Sequence, residues 1–596
     1  MDSGMGSLRY ELQQADMHGG KNTIVFHLAA PAAHTENVIT LTSGVLSSKG
    51  DVTIIGPGAG KLIVNGNSAS GVFSFDSGTL ATDSPVSISG LSIVNGDTAG
   101  KGGGIYSIES LTLKSVVISG NTSADGGGVY VGGSTGAGTK VNISNSLISG
   151  NDADRYGGGL FIENLKSISI SNSVVTGNTA FDNNGGGLFG EIYAAGTGFA
   201  INRSVFSGNT AAIGGGLFVE SESTSAAAKI SISGTKIIGN AATSTGAKEG
   251  GGLFIGAGNT VISGSSIEAN KATYYGGGIN AESFAALTIS GSTVSGNQTT
   301  KATLGGGGGI FINGNASSVS QPVKIAGSVI GGNVAGYGGG GLYTTGDIAL
   351  SISGSTISDN QAIKGGGIMA KTGTGGVSQE VKVAGSLFAD NSAGSDGGGL
   401  FADLDIIVAI SGSTFHGDTA GTGGGLDTSG SGSIASELTV TGSNFSNNDA
   451  FIGAGGGIEV FNDGLFSIAS SKLTGNVAHD GGGILTLATP NVTINNVVEA
   501  GNFAIDDGGG MSLLDATTLK VTGGSVTGNS ATSGGGIYTA GSTGTITGIT
   551  ISGNAAAAGG GIFNTTSSLS LHLDKIVANS AATGPDFGGA GTFTFM

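Results

Sequence analysis

An all-β fold is what the sequence predicts: a single right-handed parallel β-helix of about 20 coils with a short N-terminal capping helix. Three observations predict it. Glycine fills 121 of 596 positions, against only 6 prolines. A glycine triplet followed by an aliphatic residue (once Met) recurs 17 times, from Ile105 to Ile562, at a mean spacing near 28.6 residues. Between the triplets lie runs such as ISISNSVVTGN (168–178) and LSISGSTISDN (350–360), which alternate apolar and small polar residues. That alternation has the period of a half-buried strand. One such unit cannot bury its apolar face alone, whereas stacked parallel copies share a continuous core. Propeller blades need longer units, and leucine-rich repeats need a fixed leucine frame that is missing here.

The elements follow in chain order. Residues 1–20 are read as a cap, in which Ser7 to Asp16 forms a short amphipathic helix with Leu8 and Leu12 on one face. Residues 21–583 are read as the β-helix, opening with the strands 22–28, 38–43 and 51–56 and becoming regular from about residue 90. Residues 584–596 break the pattern and are read as a closing segment, since an open solenoid end invites edge pairing. About 21 coils at roughly 4.8 Å each predict a rod on the order of 100 Å.

A second motif, Ser/Thr-Gly-Asn, precedes each triplet in looser form. Its polar slot holds asparagine from Asn121 to Asn579, with Asp97 and Asp418 in the same place. Stacked amides can hydrogen-bond up and down a ladder while tolerating a left-handed turn. Asn297→Ala should then destabilise the chain, and Asp418 should interrupt the ladder, because a carboxylate cannot donate. Insertions such as 220–229 and 371–380 are expected to project from the corners.

Charge narrows the function. Charged residues make up 10% of the chain and sum to −18. Only Arg9, Arg155 and Arg203 carry a guanidinium. This surface repels phosphate backbones, which argues against nucleic acid, and suits sugars, cations or proteins. Cysteine is absent, so disulfides and thiolate metal sites are excluded. No apolar run reaches 18 residues, so no transmembrane helix is expected. The first 16 residues do not read as a signal peptide. A mature or excised piece of a longer anchored chain is the favoured expectation.

These features resemble the bacterial cell-surface parallel β-helix proteins of the pectate-lyase-like superfold, over about residues 20–580. GGGIY (102–106), GGGLF (157–161) and GGGIF (559–563) are similar to the Gly-Gly-Ala-Ile repeats of chlamydial polymorphic outer-membrane proteins. GSLRYELQQAD (6–16) resembles the Ser-Leu-Arg-Glu-Ala capping segment of large bacterial surface proteins, with Tyr10 and Glu11 departing from it. The resemblance implies an exported, surface or outer-membrane-associated adhesin or autotransporter-like passenger. The same superfold hosts lyases and hydrolases, so fold alone does not choose.

Candidate chemistry is sparse. A lyase needs a basic residue beside cation-stabilised carboxylates, and neither Arg155 nor Arg203 lies in an acidic run. A hydrolase needs paired carboxylates. The best pair comes from the column before the triplets, where His479-Asp480 stacks on Asp506-Asp507; ordinary turn residues explain the same pattern. Asp359 and Asp390 also stack, as turn residues or as a weak cation site. Histidines at 18, 27, 34, 416, 479 and 572 have no zinc spacing, and GPGAGK (56–61) lacks the phosphate-loop pattern. No cofactor is expected.

One column stands out. The residue after each triplet's aliphatic is aromatic in 11 of 17 units, and Tyr106, Tyr130, Phe161, Phe189, Phe218 and Phe254 are consecutive. Alternation turns these rings outward. They form either an open glycan- or partner-binding strip, concentrated in the N-terminal half, or a stack covered by loops or turned inward. The expected function is a non-enzymatic surface adhesin or stalk binding a glycan or protein. The alternatives are a polysaccharide lyase or hydrolase and a self-associating filament.

Overall fold

The computed structural model describes residues 2–595 except 29–35, 80–82, 134–137, 193–197, 221–227, 245, 247, 248, 257, 303, 304, 315–319, 374–378, 432–435 and 573. Two compact units divide the chain, Met1–Gln298 and Thr299–Met596. Each is a parallel β-solenoid, and about 20 coils wind in the right-handed sense expected of parallel crossovers. Among the described residues the only α-helix is Leu8–His18.

In the first unit the longest face of the winding carries ten strands, from Asn22–Val25 to Ala286–Ser290. In the second it carries eleven, from Gln321–Ala326 to Thr592–Phe595. Neighbouring strands pair in parallel, as where Ile168, Ile170 and Ser171 sit opposite Phe199, Ile201 and Asn202, with a register shift between Ser123 and Asp125 where Thr122–Asp125 meets Asp152–Tyr156. One coil illustrates the path. Leu160–Glu163 leads to Ser167–Ser171, then Val174–Thr176, then the short Thr179–Ala180, and the triplet Gly185–Gly187 starts the next coil. Leu160, Ile162, Ile168, Ile170 and Val175 point inward and are buried.

Left-handed backbone turns the corners. Asn164, Asn172 and Gly177 have φ of 59°, 48° and 62°, and Gly185, the first residue of its triplet, has φ 73°. The rest of the triplet is glycine for lack of space. A Cβ on Gly158 would collide with the Thr179 carbonyl, and one on Gly159 would lie 2.6 Å from the Gly187 oxygen. Those contacts are with the next coil's backbone, which cannot yield without opening the stack.

The asparagine ladder is present. Asn178 Nδ2 donates to Ile148 O at 3.1 Å and to Asn209 Oδ1 at 3.0 Å, while its Oδ1 accepts Asn151 N at 3.0 Å and Asn151 Nδ2 at 2.9 Å. All four hydrogen-bonding places of the amide are filled, inside a corner that water does not reach. Two details differ from expectation. The left-handed residue is the one before the asparagine, such as Gly177, so the asparagine is chosen for its hydrogen bonds and not for its turn. Asp97 is not in the ladder. Pairing of Ile118 with Ile93 shifts the register by one, and Gly96 takes the slot, donating its N–H to Asn121 Oδ1 at 2.8 Å.

The capping helix covers the first coil as its pattern requires. Leu8, Leu12 and Ala15 are buried, and the helix packs on Leu46–Ser48. Ser7 caps its N-terminus by accepting Tyr10 N. Asp2 ties the chain's start to the coil, accepting Thr42 N and Ser43 N at 2.8 Å and Arg9 Nη2 at 2.8 Å. Burial alone would raise its pKa, but these donors and the guanidinium charge outweigh that and hold it at about 2.

The closing segment does not break the winding. Phe587–Gly588 pairs with Ile562–Phe563, and Thr592–Phe595 pairs with Ser568–Leu571, so residues 584–595 form a further partial coil. Gly584 takes the left-handed place of a triplet glycine, with φ 62°. Sequence pattern missed this because Pro585 and Asp586 replace the other two glycines. Residues 221–227 and 374–378, within the two stretches expected to project as loops, and His34 lie outside the described residues.

Candidate functional site

The ring column is outward-facing and covered. Tyr130, Phe161, Phe189, Phe218 and Phe254 stack with centroids 4.7–5.1 Å apart and planes within 10° of parallel. Phe161 is 6% exposed and Phe218 2%. The expected open strip at these positions is therefore corrected: the rings are buried and present no face to a ligand. Their cover is the segment before each triplet, which folds over the following coil's ring. Lys101 lies 4.2 Å from the Tyr130 centroid, the Tyr156 ring 5.1 Å from Phe189, and Lys364 5.2 Å from Phe401.

The drift from rings to other side chains in later coils has the same explanation. Asn280, Met369, Asp427, Glu459, Leu485 and Ser512 occupy the slot in place of an aromatic; Glu459 is half-buried and the other five are buried. The slot is an outer packing layer whose filler changes, not a face that fades along the chain. Period-two alternation reported the direction of these side chains, but no local pattern reports what folds over them.

The ladder of rings has an open end at Tyr106, which is stacked on Tyr130 at 5.5 Å but only partly buried. Beside it is a cavity of about 560 Å³, lined by Ser70, Ser74, Asp97, Thr98 and Lys101 among others. Lys101 Nζ donates to the Tyr130 hydroxyl at 2.5 Å and lies 3.6 Å from Glu163, which also accepts from that hydroxyl. Burial and the Asp76 and Glu163 charges raise the Tyr106 pKa, so its hydroxyl stays protonated.

The carboxylates named from sequence are brought together, but as neighbours along a turn column. Asp480 Oδ1 accepts Asp507 N at 3.0 Å, and His479 Nδ1 lies 3.9 Å from Asp506 Oδ2. Burial raises the pKa of Asp480 and of Asp507; the Asp507 N–H pulls the first down, and the Ser533 hydroxyl the second. Asp359 and Asp390 are exposed left-handed residues, φ 57° and 55°, in the place glycine holds before the ladder in most coils. Among the described residues no group of three or more His, Asp or Glu side chains is placed to hold a metal ion.

A stronger acidic group was not singled out from sequence. Asp427 and Glu459 are register partners in the outer slot of adjacent coils, where rings stand elsewhere. Thr422 Oγ1 donates to Asp427 Oδ2 at 2.9 Å and lies 3.4 Å from Asp396 Oδ1, and Asp396 pairs with Lys364 at 2.5 Å. Burial first, then the Asp396 charge, pushes Asp427 up to about 7. Burial and the Asp427 charge push Glu459 well above the usual carboxylate range. The signal was available: two acids follow consecutive triplets in a slot that otherwise prefers apolar residues. Glu499 is a second surprise, wholly buried in the inward column between Leu473 and Val526, with its pKa raised by burial.

No helix among the described residues is long and apolar enough to cross a membrane. No family model and no curated protein matches this chain.

Proposed function

We propose that the chain is a non-enzymatic, exported bacterial surface protein, a rigid adhesin or passenger-like stalk that binds glycans or proteins. The observation that carries the reading is where its reactive groups are spent. The amide ladder bonds to itself, the rings pack under their covers, and the Asp480–Asp507 column is bound to its own turns. What faces water is a hydroxyl- and amide-rich skin of low charge, suited to contact rather than to bond-breaking. The sequence motifs GGGIY and GSLRYELQQAD support an exported surface protein by resemblance.

A second reading, a polysaccharide lyase or hydrolase, is favoured by one feature: the carboxyls of Asp396, Asp427 and Glu459 beside Lys364. A protonated acid next to an ionised one is the pairing that glycoside hydrolysis uses. The two readings part in one experiment. Purified protein is tested for adhesion to a glycan array and to matrix-coated surfaces, and for release of reducing or unsaturated ends from a polysaccharide panel. Adhesion without product formation is expected. Product formation that Asp427→Asn and Glu459→Gln each abolish would replace the first reading by the second.

A further inference from the structure

The open end of the ring ladder differs from every buried rung in two named ways. Register places Ser74 opposite Tyr106, so where the next ring of the stack would stand there is only a hydroxymethyl group. The residue that covers a slot comes from just before the triplet of the preceding coil, as Lys101 covers Tyr130 and Lys364 covers Phe401. By the same register, with Phe73 opposite Ile105, the covering position for Tyr106 falls at Ala69, which lines the cavity with it. Neither the stacking partner nor the lid has a side chain of any size. The cavity of about 560 Å³ is the space those two groups leave.

Its chemistry is divided. One wall is the outer face of an aromatic ring whose inner face is already stacked on Tyr130. The rim is polar, with the hydroxyls of Ser70, Ser74 and Thr98, the ammonium of Lys101 and the carboxylate of Asp97. Asp97 is exposed, and no described residue binds its side chain. Lys101 is engaged by Tyr130 and Glu163, so the charge left facing the cavity is acidic.

The geometry points to this cavity as the binding site for one pyranose ring of a glycan, neutral or amino-bearing, stacked on Tyr106 as the next rung of the ladder. A pyranose has an apolar face of C–H groups that suits an aromatic ring and a rim of hydroxyls that needs donors and acceptors, which is the division found here. Rungs 4.7–5.5 Å apart set the depth at which it would sit, above Ser74. Asp97 would accept from hydroxyls or pair with an ammonium, and would repel the carboxylate of a uronic acid. An aromatic side chain of a partner would leave most of that polar rim without partners, which disfavours it.

This assignment rests on the glycan-binding form of the surface-protein reading and names its site. It is tested on the full chain by calorimetric titration with the methyl glycosides of glucose, galactose and glucosamine, and with galacturonate. Two variants are compared. Tyr106→Ala removes the stacking wall. Ser74→Phe fills the cavity with a further rung and, because it copies the adjacent coils, should unfold no earlier than the parent. Binding of a neutral or amino glycoside, absence of galacturonate binding and at least tenfold weaker binding in both variants are expected. Unchanged binding to Ser74→Phe would overturn the site while leaving a glycan-binding surface protein intact. So would failure of every glycoside with continued adhesion to glycan-bearing surfaces. Tight binding of a tryptophan- or tyrosine-bearing peptide at the cavity in place of the sugars would also overturn it. Cavity binding of glycosides by a chain that adheres to no surface would keep the site and remove the adhesin.

Discussion

Asp418 tests how the ladder works, because it changes one atom of an asparagine and keeps the shape. Its Oδ1 accepts Asn391 N at 2.9 Å and Asn391 Nδ2 at 2.8 Å, and its own N–H donates to Asn448 Oδ1 at 3.0 Å, as an asparagine would. The accepting side of the ladder therefore continues through Asp418, while the donating side is interrupted as expected: no side-chain bond from Asp418 reaches Asn448, where Asn448 itself donates to Asn476 Oδ1 at 3.0 Å. What changes is Oδ2, buried with no donor directed at it. Burial raises the pKa well above the usual aspartate range, so the folded chain holds a carboxylic acid whose O–H can supply the missing donation. A raised folded pKa means the contribution is complete below the unfolded value of about 4 and is lost as pH climbs through the folded one. Asp418→Asn should match the parent's stability near pH 4 and exceed it increasingly toward pH 8, by on the order of 1–3 kcal/mol. Denaturant titrations at the two pH values measure this, and a gap that closes with rising pH would contradict it.

At the scale of the element, most of a coil was legible and its lids were not. Alternation marked the strands, the triplets marked one corner and the asparagines another, because each reflects a local steric or hydrogen-bonding demand repeated coil after coil. Asp97 was misplaced for an equally local reason: NGD (95–97) reads like SGN, and only pairing of Ile93 with Ile118 shows the slip to Gly96. The cover over the rings and the cavity at Tyr106 depend on contacts between coils with no sequence signature, and the coil holding Ser74 lacks a triplet to set its register. Glu499 was visible as an acid at an inward position of an alternating strand, but alternation alone does not say that a position is dry. Corner geometry makes a prediction for Asp359 and Asp390. With φ near 55°, Asp359 and Asp390 occupy backbone that glycine adopts without strain, at a cost of roughly 1 kcal/mol each. Asp359→Gly and Asp390→Gly should leave thermal stability equal or raised, and added calcium should leave the parent's melting temperature unchanged. A calcium-dependent rise lost in both variants would restore the cation site.

At the scale of the whole molecule, each unit is held by columns of like side chains that run from coil to coil: apolar residues within, asparagines in one corner and the outer slot beneath its lids. The parallel β-solenoid was readable because such columns repeat in sequence. The ring column is where the structural account and a recognition account differ most. Were Phe161, Phe189 and Phe218 a binding strip, replacing all three by serine would abolish binding and spare the fold. In a covered stack each ring contributes burial and ring contact, and truncating a buried phenylalanine costs about 3–5 kcal/mol. The most direct measurement is thermal and denaturant unfolding of the Phe161→Ser, Phe189→Ser, Phe218→Ser triple variant, with amide exchange across residues 150–260. The account predicts a loss on the order of 10 kcal/mol, seen as early melting and fast exchange centred on those coils. A triple variant that melts with the parent and keeps its exchange protection would contradict it.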